Sequence, residues 1–215
     1  MTTHNFERLF EQSLATSNLS EKQRAVLSAS LQLFADQGFD HTSTSDIAAA
    51  AGVSEGTVYK HFKTKDQILN AIITPFITEV VPQAAAEFIA DAQANSNLAF
   101  ATFIRYFLRD RLTFADQNRK EGKIFFREAL AHPEMMARLS QQFEAVLAGP
   151  LTRLIHHYQV KSDLIDWPPT TILRYIIGTL GSYLIPSIVL NDQPLNIDEI
   201  TATASEFLIK GLAPK

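Results

Sequence analysis

The chain has 215 residues, 46% of them hydrophobic, so it can bury the core of one large domain or two small ones and is not disordered throughout. The absence of cysteine excludes disulfides, thiolate metal sites and thiol nucleophiles. A formal net charge of −4 argues against a protein that coats nucleic acid over its whole surface, so any such contact must be local.

The N-terminus does not resemble a secretory signal, because Glu7, Arg8 and Glu11 interrupt it. The longest uncharged span, 175–191, contains two glycines, two serines and Pro186. It is shorter than the roughly 20 apolar residues that cross a bilayer. We therefore expect a cytoplasmic protein with no membrane partner.

Residues 1–19 form the first predicted segment, an amphipathic arm. Its apolar residues have a helical spacing on one face: Phe6, Leu9, Phe10 and Leu14. An apolar stripe normally packs on a core, so we expect the arm to lie against the body of the protein. A contact with DNA or with a partner is the alternative.

A predicted helix begins after Ser20, which forms a capping box with Gln23, and ends at Gly38. The next helix is short. Ser43 caps it and places Asp46 at the third helical position. Its four consecutive alanines, Ala48–Ala51, would allow a neighbouring helix to approach closely.

Ser54 is predicted to cap a third helix that runs to Phe62 and turns Glu55, Thr57, Lys60 and His61 outward. From residue 56 to residue 65 the chain carries three lysines and one histidine but no acid. Hydroxyls and lysines are the groups that contact DNA phosphates. The segment therefore reads as a compact basic edge.

A fourth helix starts near Lys63, and Pro75 is expected to kink or interrupt it, although helix could continue to about Val81. We place a domain boundary there, with an arm at 1–19, a first domain at 20–74 and a second domain at 75–215. The second domain shows no alternating strand pattern and no phosphate-type glycine loop. Its predicted helices span 83–94, 97–117, 119–131, 134–159, 169–190 and 197–211.

The second domain offers few candidate ligands. Arg105 and Arg109 lie one turn apart and form either a solvated face or a carboxylate site. Glu128 and His132 have the spacing of a metal pair, but no third ligand is apparent. We expect no metal and no cofactor, and we name no ligand-binding residue.

The segment 34–69 carries the pattern F-x-x-x-G-F followed by S-x-x-D-I-A-x-A-A-G-V-S-x-G-T-V-Y-K-H-F-x-x-K. This pattern resembles the TetR family of bacterial transcriptional regulators. The resemblance implies an all-α homodimer, with an N-terminal three-helix helix-turn-helix domain that binds DNA. It also implies a larger C-terminal helical domain for ligand binding and dimerisation.

The resemblance also implies which residues contact DNA. Thr42 and Ser43 would bind phosphate at the start of the second helix. The major-groove face of the recognition helix would comprise Glu55, Gly56, Thr57 and Lys60. Further phosphate contacts would come from Tyr59, His61 and Lys65, although Tyr59 and His61 could instead pack between helices. Ser54, which caps the recognition helix, is counted with this set.

Two positions depart from the family pattern, because Thr44 stands where an aliphatic residue is common and Ser45 where a basic one is common. Glu55 could accept a hydrogen bond from a cytosine amino group or could merely repel phosphate. The base sequence that the protein reads is therefore not predicted.

The resemblance implies a repressor that binds a near-palindromic double-stranded operator and is released by an unidentified small-molecule effector. The last two long helices are expected to form the dimer, because Gly178 and Gly181 permit close helix approach. An activator or a co-repressor-type regulator is the alternative. An all-helical enzyme would need a clustered nucleophile, base or metal set, and none is readable.

Overall fold

The structure is a computed structural model that describes residues 6–131, 133, 136–137, 140–141, 144, 147–190 and 193–214. These residues are predominantly α-helical and include no strand, which confirms the predicted all-α fold class. The α-helices with described bounds are, in chain order, α1 (Phe6–Thr16), α2 (Glu21–Gln37), α3 (Thr44–Ala50), α4 (Glu55–His61), α5 (Lys65–Pro75), α6 (Val81–Ala94), α7 (Phe100–Gln117), α8 (Arg119–Ala131), α9 (Thr152–Val160), α10 (Pro169–Leu184) and α11 (Ile197–Gly211).

The chain divides into two compact units. The first comprises Met1–Ala84 and Lys120–His132, and the second comprises Ala85–Arg119 and Pro133–Lys215. These two units are defined by contacts between residues and not by function. The functional ranges 20–74 and 75–215 therefore stay a prediction.

Side-chain caps begin the first helices, as predicted. Ser20 forms a complete capping box with Gln23 at the start of α2. That helix ends at Gly38, whose φ of 86° lies in the left-handed region that favours glycine. The following residue, Phe39, places its ring 5.1 Å from the ring of Phe34 and turns the chain back toward α2.

Helix α1 packs on the first unit through an aromatic cluster around Phe76, which is fully buried. The centroid of the Phe76 ring lies 5.2 Å from that of Phe6 and 5.5 Å from that of Phe10. On another side it lies 3.9 Å from the ring of Phe125 on α8. The hydroxyl of Ser13 also donates to Glu79 at 2.6 Å. The apolar stripe of the arm is therefore used for packing within the unit.

Pro75 does not end the helical conformation, so the structure shows the predicted alternative in which helix continues to Val81, and not an interruption. Helix α5 passes directly into a π-helical turn at Phe76–Val80 and then into α6. Two further π-helical turns, Leu147–Leu151 and Ile185–Leu190, contain Pro150 and Pro186. Proline cannot donate the usual helical hydrogen bond, and a wider turn relieves the clash of its ring with the preceding carbonyl. Helix thus continues past proline at a local change of pitch.

The continuous helical segment Lys65–Ala94 is long and apolar enough to cross a membrane by length and composition, and 44% of its most apolar window is buried. A core helix of a globular protein meets the same criteria.

The second unit has its own core, built mainly from α7, α9, α10 and α11. Tyr158 on α9 lies in this core and is 0% exposed. Its ring contacts those of Phe100 and Phe103 on α7 at centroid distances of 5.4 and 5.5 Å. The Tyr158 hydroxyl has no hydrogen-bond partner among the described residues. Burial, with a smaller effect of Asp163, raises the pKa of Tyr158 to about 12.

Replacement of Tyr158 by phenylalanine is expected to remove part of the loss of stability at alkaline pH. The unfolded chain releases the tyrosine proton near pH 10, whereas the folded protein retains it to about 12. The free energy of unfolding of the wild type therefore falls by about 3 kcal/mol between those pH values because of this tyrosine. Urea unfolding of both proteins at pH 8 to 11.5 measures this fall. At neutral pH the variant should be as stable as the wild type or up to about 1 kcal/mol more stable. An unchanged pH dependence would contradict the assignment.

Candidate DNA interface

Helices α3 and α4 form the centre of the candidate interface, and each has seven residues. In the turn between them Gly52 has a φ of 66°, and the Val53 amide donates to the Ala48 carbonyl at 3.0 Å. Ile47 on α3 and Val58 on α4 are fully buried. The inner faces of the pair therefore pack on the core, and their outer faces are left to solvent.

The predicted DNA contacts differ in exposure. The exposed residues are Ser43, Ser54, Glu55, Gly56, Tyr59 and Lys60. The half-buried residues are Thr57, His61 and Lys65. Thr42 is buried, with 2% of its surface exposed. The turn and α4 thus bring most of these residues to one outer edge, whereas Thr42 lies beneath it.

The serine caps lie on this edge. The Ser43 hydroxyl donates to the Asp46 carboxylate at 2.6 Å and accepts from the Asp46 amide at 3.1 Å. The hydrogen bonds from Ser43 lower the pKa of Asp46. Ser54 accepts from the Thr57 amide at 3.2 Å, and the two hydroxyls lie 2.9 Å apart. Both caps confirm the predicted helix starts and hold the polar edge in place.

Lys65 supports the loop between α2 and α3. Its ammonium donates to the carbonyls of Phe39 and Thr42 at 2.6 and 3.0 Å and lies 4.3 Å from the centre of the Phe39 ring. The Thr42 hydroxyl donates to the Gly38 carbonyl at 2.8 Å. Thr42 and Lys65 therefore share a structural role that the sequence did not indicate.

Thr44 joins the two helices of the motif. Its Oγ1 donates to Glu55 Oε1 at 3.1 Å and lies 3.1 Å from the hydroxyl of Tyr59. In the sequence, Thr44 stands out only as a departure from the family pattern. A polar residue at the start of α3, facing the first turn of α4, was the available signal.

Two ion pairs connect α8 to the same part of the first unit. Arg127 donates to Asp40 at 2.6 Å, and Lys120 pairs with Asp36. The hydrogen bond and charge of Arg127 lower the pKa of Asp40, with smaller effects of Lys65 and His41. All four side chains are more than half exposed, so each pair contributes little stability alone.

The described residues contain no group of three or more histidine, aspartate or glutamate side chains that could hold a metal ion. The side chain of Glu128 and residue His132 lie outside the described part of the chain. In the second unit Arg109 pairs with Asp198 at 2.6 Å on the surface. The arginine is therefore occupied by a neighbouring helix.

Three known proteins are similar to this chain over most of its length. The uncharacterized HTH-type transcriptional regulator YvdT of Bacillus subtilis is 31% identical over 170 residues, which cover 77% of this chain and 84% of that protein. The fatty acid metabolism regulator protein of the same organism is 24% identical over 196 residues, covering 90% and 97%. The fatty acid degradation regulator FadR of Bacillus halodurans has the same fold, with a TM-score of 0.63 at 19% identity over 91% and 98%.

A structure of Bacillus subtilis FadR in complex with stearoyl-CoA also shares the fold, with a TM-score of 0.58 and 19% identity over 87% of this chain and 98% of that one. The family model described as "Bacterial regulatory proteins, tetR family" matches residues 26–72, which contain the candidate interface. The full-length relatives are transcriptional regulators and not enzymes. On the motif, the fold and the long match to YvdT, the chain belongs to the tetR family of bacterial regulatory proteins.

Proposed function

We propose that the chain is a repressor that binds a near-palindromic DNA operator as a homodimer and is released by a small molecule. The observation that carries the proposal is the outer face of α4, where Glu55 and Lys60 are exposed on the second helix of a helix-turn-helix. Such a helix fits the major groove, where base edges present distinct donors and acceptors. We also propose that the protein is cytoplasmic, because that is where a bacterial operator lies. An activator, or a regulator whose effector promotes binding, is the alternative.

The groove-facing set comprises Glu55, Gly56, Thr57 and Lys60. The ammonium of Lys60 forms no hydrogen bond or ion pair with any described residue, so it is available to a base or phosphate. Beyond its own helix backbone and chain neighbours, a Cβ at Gly56 would meet among the described residues only the Ser54 hydroxyl, at an ordinary 3.9 Å. Packing within the protein therefore does not require glycine there, and close approach of DNA supplies a reason for it.

Phosphate contacts are assigned to Ser54, His61 and Lys65. Ser54 and Thr57 share one hydrogen bond between two hydroxyls, so one of the two protons remains for an outside acceptor. Ser43 would have to exchange Asp46 for a phosphate oxygen. Because the Thr42 hydroxyl is buried on the Gly38 carbonyl, we assign no side-chain phosphate contact to Thr42.

The homodimer is assigned to α10 and α11, which contact each other. Along α10 and into the π-helical turn that follows it, exposed residues recur every three or four positions and so lie on one face: Tyr175, Gly178, Ser182 and Ile185. On α11, Phe207 is 64% exposed. A partner copy that supplies the same two helices would cover these apolar groups in a four-helix interface.

The effector is proposed to be a fatty acyl thioester. The support is the Bacillus subtilis relative named for fatty acid metabolism and the shared fold of the complex with stearoyl-CoA. The apolar and aromatic core of the second unit has the composition of small-molecule sites. No residue is assigned to the ligand.

Selection from a randomised duplex DNA library tests the proposal. The full-length protein should enrich an inverted repeat, and acyl-CoA esters of increasing chain length should lower the bound fraction. Enrichment of no sequence would overturn operator binding. Enrichment without release by any acyl-CoA would overturn only the effector class. Reporter output after deletion of the gene distinguishes repression from activation.

A further inference from the structure

A chain of hydrogen bonds across the helix-turn-helix joins the side chains of Thr44, Glu55 and Tyr59. Thr44 is the first residue of α3, whereas Glu55 and Tyr59 lie one turn apart on α4. Thr44 Oγ1 lies 3.1 Å from Glu55 Oε1 and 3.1 Å from the Tyr59 hydroxyl. The contacts therefore fix the first turn of the proposed recognition helix to the start of the preceding helix.

The direction of the protons follows from chemistry. An ionised carboxylate only accepts hydrogen bonds, so the single Thr44 proton goes to Glu55. The Thr44 oxygen then accepts the proton of Tyr59. Tyr59 is left with lone pairs alone, so while this chain is intact its hydroxyl cannot donate to a phosphate.

Glu55 keeps one oxygen for an outside donor. Oε1 is occupied by Thr44, but no described residue donates to Oε2, and the side chain is exposed. On DNA, phosphates repel a carboxylate, whereas the amino groups of cytosine and adenine can donate in the major groove. Adenine places the acceptor N7 beside its amino group, and the lone pairs of N7 would oppose the carboxylate. Cytosine has no acceptor at that position.

We propose that Thr44 is a specificity-determining positioning residue, which holds Glu55 so that Oε2 accepts from the amino group of a cytosine in each half-site. This inference rests on the proposed operator binding. Tyr59 supports the arrangement by donating to Thr44, in place of the phosphate contact implied by the family resemblance. Thr44, Glu55 and Tyr59 together read one C·G base pair per protomer.

The test compares dissociation constants for the selected DNA site and for the same site with single base-pair changes. For the wild type, replacing one C·G pair in a half-site should weaken binding at least about fivefold. Thr44→Val keeps the shape but removes the hydroxyl, and should reduce that preference to within about twofold. Thr44→Ser restores the hydroxyl and should restore the preference. Tyr59→Phe should reduce the preference without changing the salt dependence of binding.

Glu55→Gln supplies an independent measurement, because an amide pairs with N6 and N7 of adenine. This variant should shift the preference at the same position from C·G to A·T. Circular dichroism melting of all variants checks folding. If Thr44→Val keeps the wild-type preference at every position while Glu55→Gln changes it, the role of Thr44 is overturned. If the wild type selects no DNA sequence, the proposed function itself fails.

Discussion

Replacement of Gly178 by arginine is expected to give a folded protomer that no longer pairs with a second copy. Gly178 is exposed in the middle of α10, and a Cβ built there meets no atom of another described part of the chain within 4 Å. The new side chain therefore fits the protomer, and loss of a mid-helix glycine favours the helix by about 0.5–1 kcal/mol. In the proposed dimer the same position faces a partner helix, where two arginines would clash and repel.

The loss of dimerisation should weaken binding to the selected DNA by about 100-fold or more, because a monomer engages one half-site without the second. Sedimentation velocity measures the mass, and a fluorescence titration measures the affinity. Gly122→Arg on α8, outside the proposed dimer helices, is the control, since a Cβ at that half-buried helical glycine also meets no atom of the described residues within 4 Å. The control should remain dimeric. A dimeric Gly178→Arg variant would exclude this face of α10 from the interface.

The boundaries of the first helices could be predicted from sequence because their determinants are local. Ser20, Ser43 and Ser54 each accept from an amide three residues ahead, and Gly38 supplies the left-handed turn. Such caps depend on residues within one turn of the helix end, so the tertiary fold does not need to be known. The basic edge after Ser54 could also be predicted from sequence, because its residues are close together along the chain.

The continuation of helix past Pro75 could not be predicted with equal certainty, because it depends on tertiary packing. Phe76 is anchored between Phe6, Phe10 and Phe125, and this contact holds the π-helical turn that follows the proline. The alanine run shows the same limit. Only Ala48 of its four residues is buried, since a seven-residue helix packs through one side.

The polar contacts of the candidate site also depend on distant parts of the chain. Lys65 reaches the Phe39 carbonyl across 26 positions, and Arg127 reaches Asp40 across 87. Composition shows that such groups exist, but only the packing of α2, α5 and α8 decides which of them meet. The family resemblance therefore predicted that Lys65 matters, and the fold adds a structural role to the proposed phosphate contact.

Lys65→Ala is expected to lower both the stability of the protein and its affinity for every DNA sequence. The ammonium gives two of its three protons to the Phe39 and Thr42 carbonyls, and these contacts hold the loop that leads into α3. Losing them should cost about 1–2 kcal/mol of unfolding free energy. The third proton is proposed to bind a phosphate. Its loss from both protomers should weaken binding by about tenfold or more and flatten the salt slope by about 1.8.

The salt slope separates the two roles of Lys65. If the lysine only supports the loop, affinity falls but the slope stays at the wild-type value, which would overturn the phosphate assignment. Lys63→Ala is the matched control, because Lys63 is exposed and its ammonium forms no hydrogen bond or ion pair with a described residue. It should leave stability unchanged. Lys60→Ala should instead change the preferred sequence, since its side chain lies on the outer face of α4. Equal effects of Lys60→Ala and Lys65→Ala on all sequences would contradict this division between base reading and phosphate binding.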